Sequence, residues 1–293
     1  MRADFGRLLP LMMEAARRPF RGRALTLGRM TLHFGLGNVQ RAAREFGVAL
    51  SGNDAEASPF ASAARIGGIS DVSYLRLLGF SEVSVLDLAD CEMPDYRVDL
   101  NQDVPGGLAG QFDCIIDPGT LEHLFDAPRA LRNIAHMLRP GGRSIHLGLP
   151  ASNNIDHGFY CFSPSFFYEF YASNHFEINA VYLVRARYGR LGTTWDLFAY
   201  RPGALRHIQG GDLGRGHWLT FCIATRTPES TCDRIPQQDR GAHAWGAAPR
   251  TGAPPARSLA SRIVRGAVRR AIGRRPALGL RHVRRFSMSG RIE

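Results

Sequence analysis

Hydrophobic positions along this chain fall into short continuous runs separated by stretches of helical spacing. That alternation predicts strands and helices taken in turn, and so a layered α/β fold. The pattern is sharpest over residues 112–150. Cys114, Ile115 and Ile116 form an unbroken apolar run, as a strand buried on both faces requires. Asp117-Pro118-Gly119 ends it, because proline lacks an N–H donor and glycine permits a sharp turn. Ala127, Ala130, Leu131, Ile134, Ala135 and Leu138 then recur at helical spacing, with Arg129, Arg132 and Asn133 on the other side. Pro140-Gly141-Gly142 stops the helix, and 144–149 re-enters the sheet. Two parallel strands joined in this way form a right-handed βαβ unit, whose ligands bind beyond the carboxyl ends of the strands.

The same reading extends in both directions. Residues 1–20 read as a leading helix, 24–27 as a short strand, 39–46 as a helix, and the small, glycine-punctuated stretch 51–68 as a loop or lid. Asp71 is placed to cap a helix over 72–78, closed by Gly79. Strand 83–86 ends at Asp87, and Val98-Asp99-Leu100-Asn101 forms another strand tip. Residues 165–173 read as a helix, while 176–187 and 218–225 read as strands added at the end, antiparallel to the rest.

Charge divides the chain unevenly. Residues 1–227 hold 23 arginines against 22 acids, whereas 228–293 hold 14 against four, so the net +11 resides almost wholly in the tail. No lysine is present. Residues 228–256 are rich in Pro, Gly, Gln and Ala and read as a disordered linker. Within 257–293, residues 258–272 place Leu259, Ile263, Val264 and Val268 on one helical side and Arg262, Arg265, Arg269 and Arg270 on the other. Such a helix suits an anionic membrane surface or a protein partner. Phe286 is the only aromatic residue there, so base stacking gains no support and nucleic acid is not the expected partner. Five cysteines without a C-x-x-C pair point to reduced thiols and a cytoplasmic protein, peripheral at the membrane if the tail binds there. A signal peptide is not expected, since Pro10 and Glu14 interrupt the first apolar patch.

Phe112-Asp113, Leu121-Glu122-His123 and Leu138-Arg139-Pro140-Gly141-Gly142 together resemble the fourth and fifth strand region of class I S-adenosylmethionine-dependent methyltransferases. The resemblance implies a doubly wound, mostly parallel, Rossmann-like sheet over residues 1–227, with an insertion or lid at 35–70. It also implies S-adenosylmethionine as cofactor and a small-molecule acceptor, for instance a sugar. Gly28, Asp87, Leu88, Asp99, Leu100 and Asp117 would contact the cofactor, with Asp87 accepting the ribose hydroxyls. The family's glycine-rich first turn is only partly kept. Gly28 stands in place, but Thr26 occupies the acid position and Met30 and Leu32 replace later glycines. Gly28 and Asp87 also lie 59 residues apart, against about 20 between turn and acid in dinucleotide folds. A methyltransferase-like binding or scaffold protein without turnover is therefore the alternative reading.

For the reaction, His157 is the candidate base because imidazole titrates near neutrality, and Asp117 is a second catalytic candidate. His123, His157 and Tyr160 are the expected acceptor contacts. His123, His146 and His157 lack ligand spacing, so no metal site is expected.

Overall fold

Apolar runs such as 114–116 must be covered on both faces, and the computed structural model does this with two helical layers around one central sheet. It describes residues 2–3, 5–189, 192–205, 213–214, 216–237 and 281–288. The elements run β1 (Arg2–Ala3), α1 (Phe5–Arg17), β2 (Arg23–Leu27), β3 (Thr31–Leu32), α2 (Leu36–Phe46), α3 (Ala61–Ala64), α4 (Asp71–Leu77), β4 (Glu82–Asp87) and β5 (Tyr96–Arg97). Then follow β6 (Phe112–Asp117), α5 (Ala127–Met137), β7 (Leu138–Ser152), α6 (Pro164–Ser173), β8 (Glu177–Gly189), β9 (Gly192–Ala199), β10 (His217–Thr225) and β11 (Arg281–Met288).

Nine strands form the main sheet in the order β11-β9-β8-β10-β7-β6-β2-β4-β5. The run β5-β4-β2-β6-β7 is parallel throughout. It reverses direction of travel between β2 and β6, the topological switch point at which doubly wound sheets open a crevice. Beyond β7 the pairs are antiparallel, with β10 slotted between β7 and β8. Only β9 and β10 oppose the common direction, so the sheet is mostly parallel.

One face of the sheet packs on α1, α2 and α4 through Leu11, Met12, Val39, Tyr74 and Leu75. The other packs on α5 and α6 through Ala130, Leu131, Ile134, Phe167 and Tyr171. Glu14 of α1 makes a buried ion pair with Arg143 of β7 at 2.8 Å, and the same guanidinium lies 4.4 Å from the Phe20 ring. This charge-assisted contact fixes the leading helix on the sheet. The inserted stretch also builds this layer. α2 buries Val39, Ala42 and Ala43, and residues 35–70 supply none of the side chains that line the cleft described below.

Three local expectations change. Asp71 does more than cap α4: its carboxylate grips Arg29 bidentately (2.6–3.0 Å) and accepts the Met30 N–H at 2.8 Å. Asn133 is buried rather than facing solvent, because its amide donates to the carbonyls of Leu100 and Gln102. Residues 228–237, expected within a linker, rest on the domain: Thr231 and Arg234 N–H groups bond Asn174, whose side chain donates to the Arg234 carbonyl. The amphipathic helix expected at 258–272 lies outside the described residues. β9 and the edge strand β11 were not legible as strands.

Candidate functional site

A cleft of about 650 Å³ opens at the carboxyl ends of the parallel strands. Four strand ends supply its walls: Leu27-Gly28-Arg29 after β2, Leu86-Asp87-Leu88 after β4, Val98 to Asn101 after β5, and Pro118-Gly119-Thr120 after β6. His123, Leu124 and His157 close one end, and Glu92 another edge.

Register explains how Gly28 and Asp87 meet. β2 and β4 are parallel with Leu27 opposite Leu86, so the next residues, Gly28 and Asp87, stand side by side whatever length of chain connects them. Gly28 has φ +77°, a left-handed conformation that disfavours any Cβ. A Cβ there would also come within 3.2 Å of both Asp87 Oδ2 and Thr120 Oγ1. The turn thus forms a cradle that only glycine leaves open. Thr26, at the position where an acid was expected, donates its hydroxyl to the Gly28 carbonyl at 2.8 Å. The Arg29–Asp71 pair holds the next peptide, and Met30 and Leu32 are core residues. Hydrogen bonds and packing do here what extra glycines would do by conformational freedom.

Asp87 is half-buried; its Oδ1 accepts the Ala89 N–H at 2.8 Å and its Oδ2 lies above Gly28. Leu88 and Leu100 flank the cleft with apolar surface. Asp99 holds its own turn, accepting from the Asn101 backbone and side-chain amides at 2.9 Å. Asn133, which the sequence reading placed outside, is the strut that carries this wall.

Asp117 lies beneath the cleft rather than in it. It is 1% exposed, and its Oδ1 accepts N–H groups of Gly119, Thr120 and Leu121 at 3.1, 2.8 and 3.4 Å. Its Oδ2 accepts from His146 Nδ1 at 2.8 Å. With Nδ1 donating, His146 Nε2 is left to accept, and Tyr171 and Ser144 hydroxyls stand at 2.8 and 3.2 Å. Burial alone would raise the Asp117 pKa, but the His146 bond and the turn amides outweigh it and hold the carboxyl below its usual value.

At the other end, Leu121-Glu122-His123 forms a separate 3-10 turn and does not open α5, which starts at Ala127. Glu122 is fully buried, and its Oε1 faces His157 Nε2 at 3.6 Å. His157 is 41% exposed, and its ring centroid lies 5.2 Å from that of His123. Burial, and secondarily the charge of His157, lowers the His123 pKa. Tyr160 is not a lining residue; its hydroxyl donates to the Phe125 carbonyl at 2.7 Å and ties the loop over this end. Phe125 and Phe159 are both exposed and meet edge to face at 5.6 Å, forming an aromatic rim.

Comparison with known proteins gives a consistent family. The Methyltransferase domain family matches residues 81–146, the stretch carrying Asp87, Asp99, Asp117, Glu122 and His123. A comparison with curated proteins finds no match. Among solved structures, a SAM-dependent methyltransferase of Thermotoga maritima is 16% identical, with a TM-score of 0.36 over 75% of this chain and 89% of that one. The 1,6-didemethyltoxoflavin-N1-methyltransferase of Burkholderia thailandensis, solved with its substrate and S-adenosylhomocysteine, is 16% identical with a TM-score of 0.35, over 76% and 78%. These likenesses are distant, and no residue role is drawn from them. The matched segment and the doubly wound strand order place this chain in the class I S-adenosylmethionine-dependent methyltransferase family.

Proposed function

We propose that the protein is an S-adenosylmethionine-dependent methyltransferase acting on a small hydroxylated acceptor. The carrying observation is the juxtaposition of Gly28 and Asp87 at the ends of adjacent parallel strands, opening onto a cleft of ligand size. Asp87 accepts the two ribose hydroxyls, which are donors suited to a carboxylate. Leu88 and Leu100 sandwich the adenine, with Asp99 and Asn101 at its polar edge. The open backbone at Gly28 admits the chain that leads to the sulfonium. When bound, the cofactor supplies an electrophilic methyl group, and the protein's main task is to align the acceptor with it.

The acceptor end is the one closed by His123, Leu124 and His157. A hydroxyl held there loses its proton toward His157, while the exposed rings of Phe125 and Phe159 offer a surface against which a sugar or other ring can rest. Asp117 contributes indirectly by fixing the 118–121 turn that forms the cleft floor.

The scaffold alternative draws on the missing glycines. Thr26, Arg29 and Asp71 supply that turn's rigidity by other means, which favours a working pocket.

Thermal unfolding tests the proposal. S-adenosylmethionine at a hundred times its dissociation constant should stabilise the protein by about 2.7 kcal/mol. Release of S-adenosylhomocysteine in a panel of sugars and phenols then identifies the acceptor. A folded protein whose unfolding ignores millimolar cofactor would refute the reading.

A further inference from the structure

We propose that Glu122, His123 and His157 form a site for one divalent transition-metal ion at the acceptor end of the cleft. Two imidazoles and a carboxylate each offer one ligand atom, and the three atoms lie within 4.8 Å of one another. The Glu122 Oε1 to His157 Nε2 separation is already 3.6 Å. Ligands at ~2.1 Å around a tetrahedral ion stand roughly 3.4 Å apart, so rotation of the two exposed histidines completes the set. The donor chemistry selects zinc, cobalt, iron or nickel over magnesium or calcium, which prefer oxygen alone.

The loop that brings His157 into place is built for close approach. Phe159 N–H donates to the Glu122 carbonyl at 2.8 Å. A Cβ on Gly158 would meet that same carbonyl oxygen at 2.7 Å, so glycine is required beside His157. Asn153 and Asp156 adopt left-handed backbone (φ 58° and 67°), a strained state that the loop's anchors must maintain. One anchor is the Asn153 amide, which donates to the Gly214 and Gly216 carbonyls. Another is the Tyr160 hydroxyl on Phe125. Glu122 itself is a fully buried carboxylate, costly unless compensated by a cation. The lowered pKa of His123 favours the neutral ring that ligation needs.

Three protein ligands leave coordination positions for an acceptor oxygen. This role rests on the methyltransferase reading: the ion, in place of a free His157 base, acidifies the bound hydroxyl. Its proton passes to solvent, the oxygen lone pair bonds the methyl carbon, and the C–S bonding pair stays on sulfur.

The test uses untagged, chelator-treated full-length protein titrated with Co²⁺, followed by visible absorption and by metal analysis after gel filtration. One equivalent should bind with ligand-field bands, and His123→Ala and His157→Ala should each weaken it at least tenfold, while the control His136→Ala does not. Gly158→Ala, which keeps all three ligands, should also weaken it by displacing the loop. No saturable binding, or binding indifferent to both histidine variants, would overturn the site. Cofactor binding measured on the same samples separates the two proposals: an intact cofactor site without metal sinks the ion alone, and the reverse sinks the methyl donor alone.

Discussion

Asp87 and Asp117 end neighbouring parts of one parallel sheet, β4 and β6, yet they do opposite work. Asp87 keeps one oxygen toward the cleft, above Gly28. Asp117 turns inward and spends both oxygens on three turn amides and an imidazole. The cause is the strand alongside. Asp117 is paired in register with His146 of β7, an inward donor at 0% exposure, whereas Asp87 is paired with the exposed Arg97 of the short β5. A strand-end carboxylate therefore becomes a ligand contact or a structural post according to its cross-strand partner, and its own position in the motif does not decide.

The sharpest way to break this comparison is to truncate each aspartate. Asp117→Ala should cost about 3–5 kcal/mol in denaturant unfolding, since it strands a buried imidazole and three amides. Asp87→Ala should leave unfolding within about 0.5 kcal/mol. It should instead weaken the cofactor by roughly 1.5–3 kcal/mol in titration calorimetry, the worth of charge-assisted hydrogen bonds. If the two variants exchange these phenotypes, the distinction fails. Gly28→Ala should lose about 1–2 kcal/mol of stability to left-handed strain and bind cofactor more weakly. Wild-type stability after that substitution would mean the turn relaxes.

The smallest effect is on pH. Asp117 titrates below its unfolded value of about 3.9, so its contribution is fully present above that pH and is lost as pH falls through the lower folded value. Asp117→Asn should therefore flatten the acid limb of the stability curve below about pH 4 and leave its slope near neutrality unchanged. An identical acid limb would show that other carboxylates carry it.

Local patterns made much of the fold legible. The apolar run 114–116, the helical spacing from Ala127 and the Pro140-Gly141-Gly142 break are each decided within a few residues, and they emerge as β6, α5 and the start of β7. The cleft was legible where a carboxylate follows a strand, as at Asp87 and Asp99. Roles that depend on distant partners were hidden. Nothing near Asn133 announces that it braces 100–104, and nothing near Asp71 announces Arg29, 42 residues earlier. The 59-residue gap between Gly28 and Asp87 seemed too long because spacing was used where parallel register decides. His123 and His157 lie on different elements, so sequence spacing could not reveal their convergence with Glu122. β9 and β11 owe their strand form to sheet addition, which individual segments do not encode.

The central claim is that the Gly28–Asp87 crevice is the cofactor site. Titration calorimetry of S-adenosylmethionine and S-adenosylhomocysteine into wild type and Asp87→Ala tests it directly. The account predicts one-to-one binding to wild type and at least tenfold weaker binding to an equally stable variant. Absence of binding to folded wild type at millimolar ligand, or equal affinity in both proteins, would contradict it.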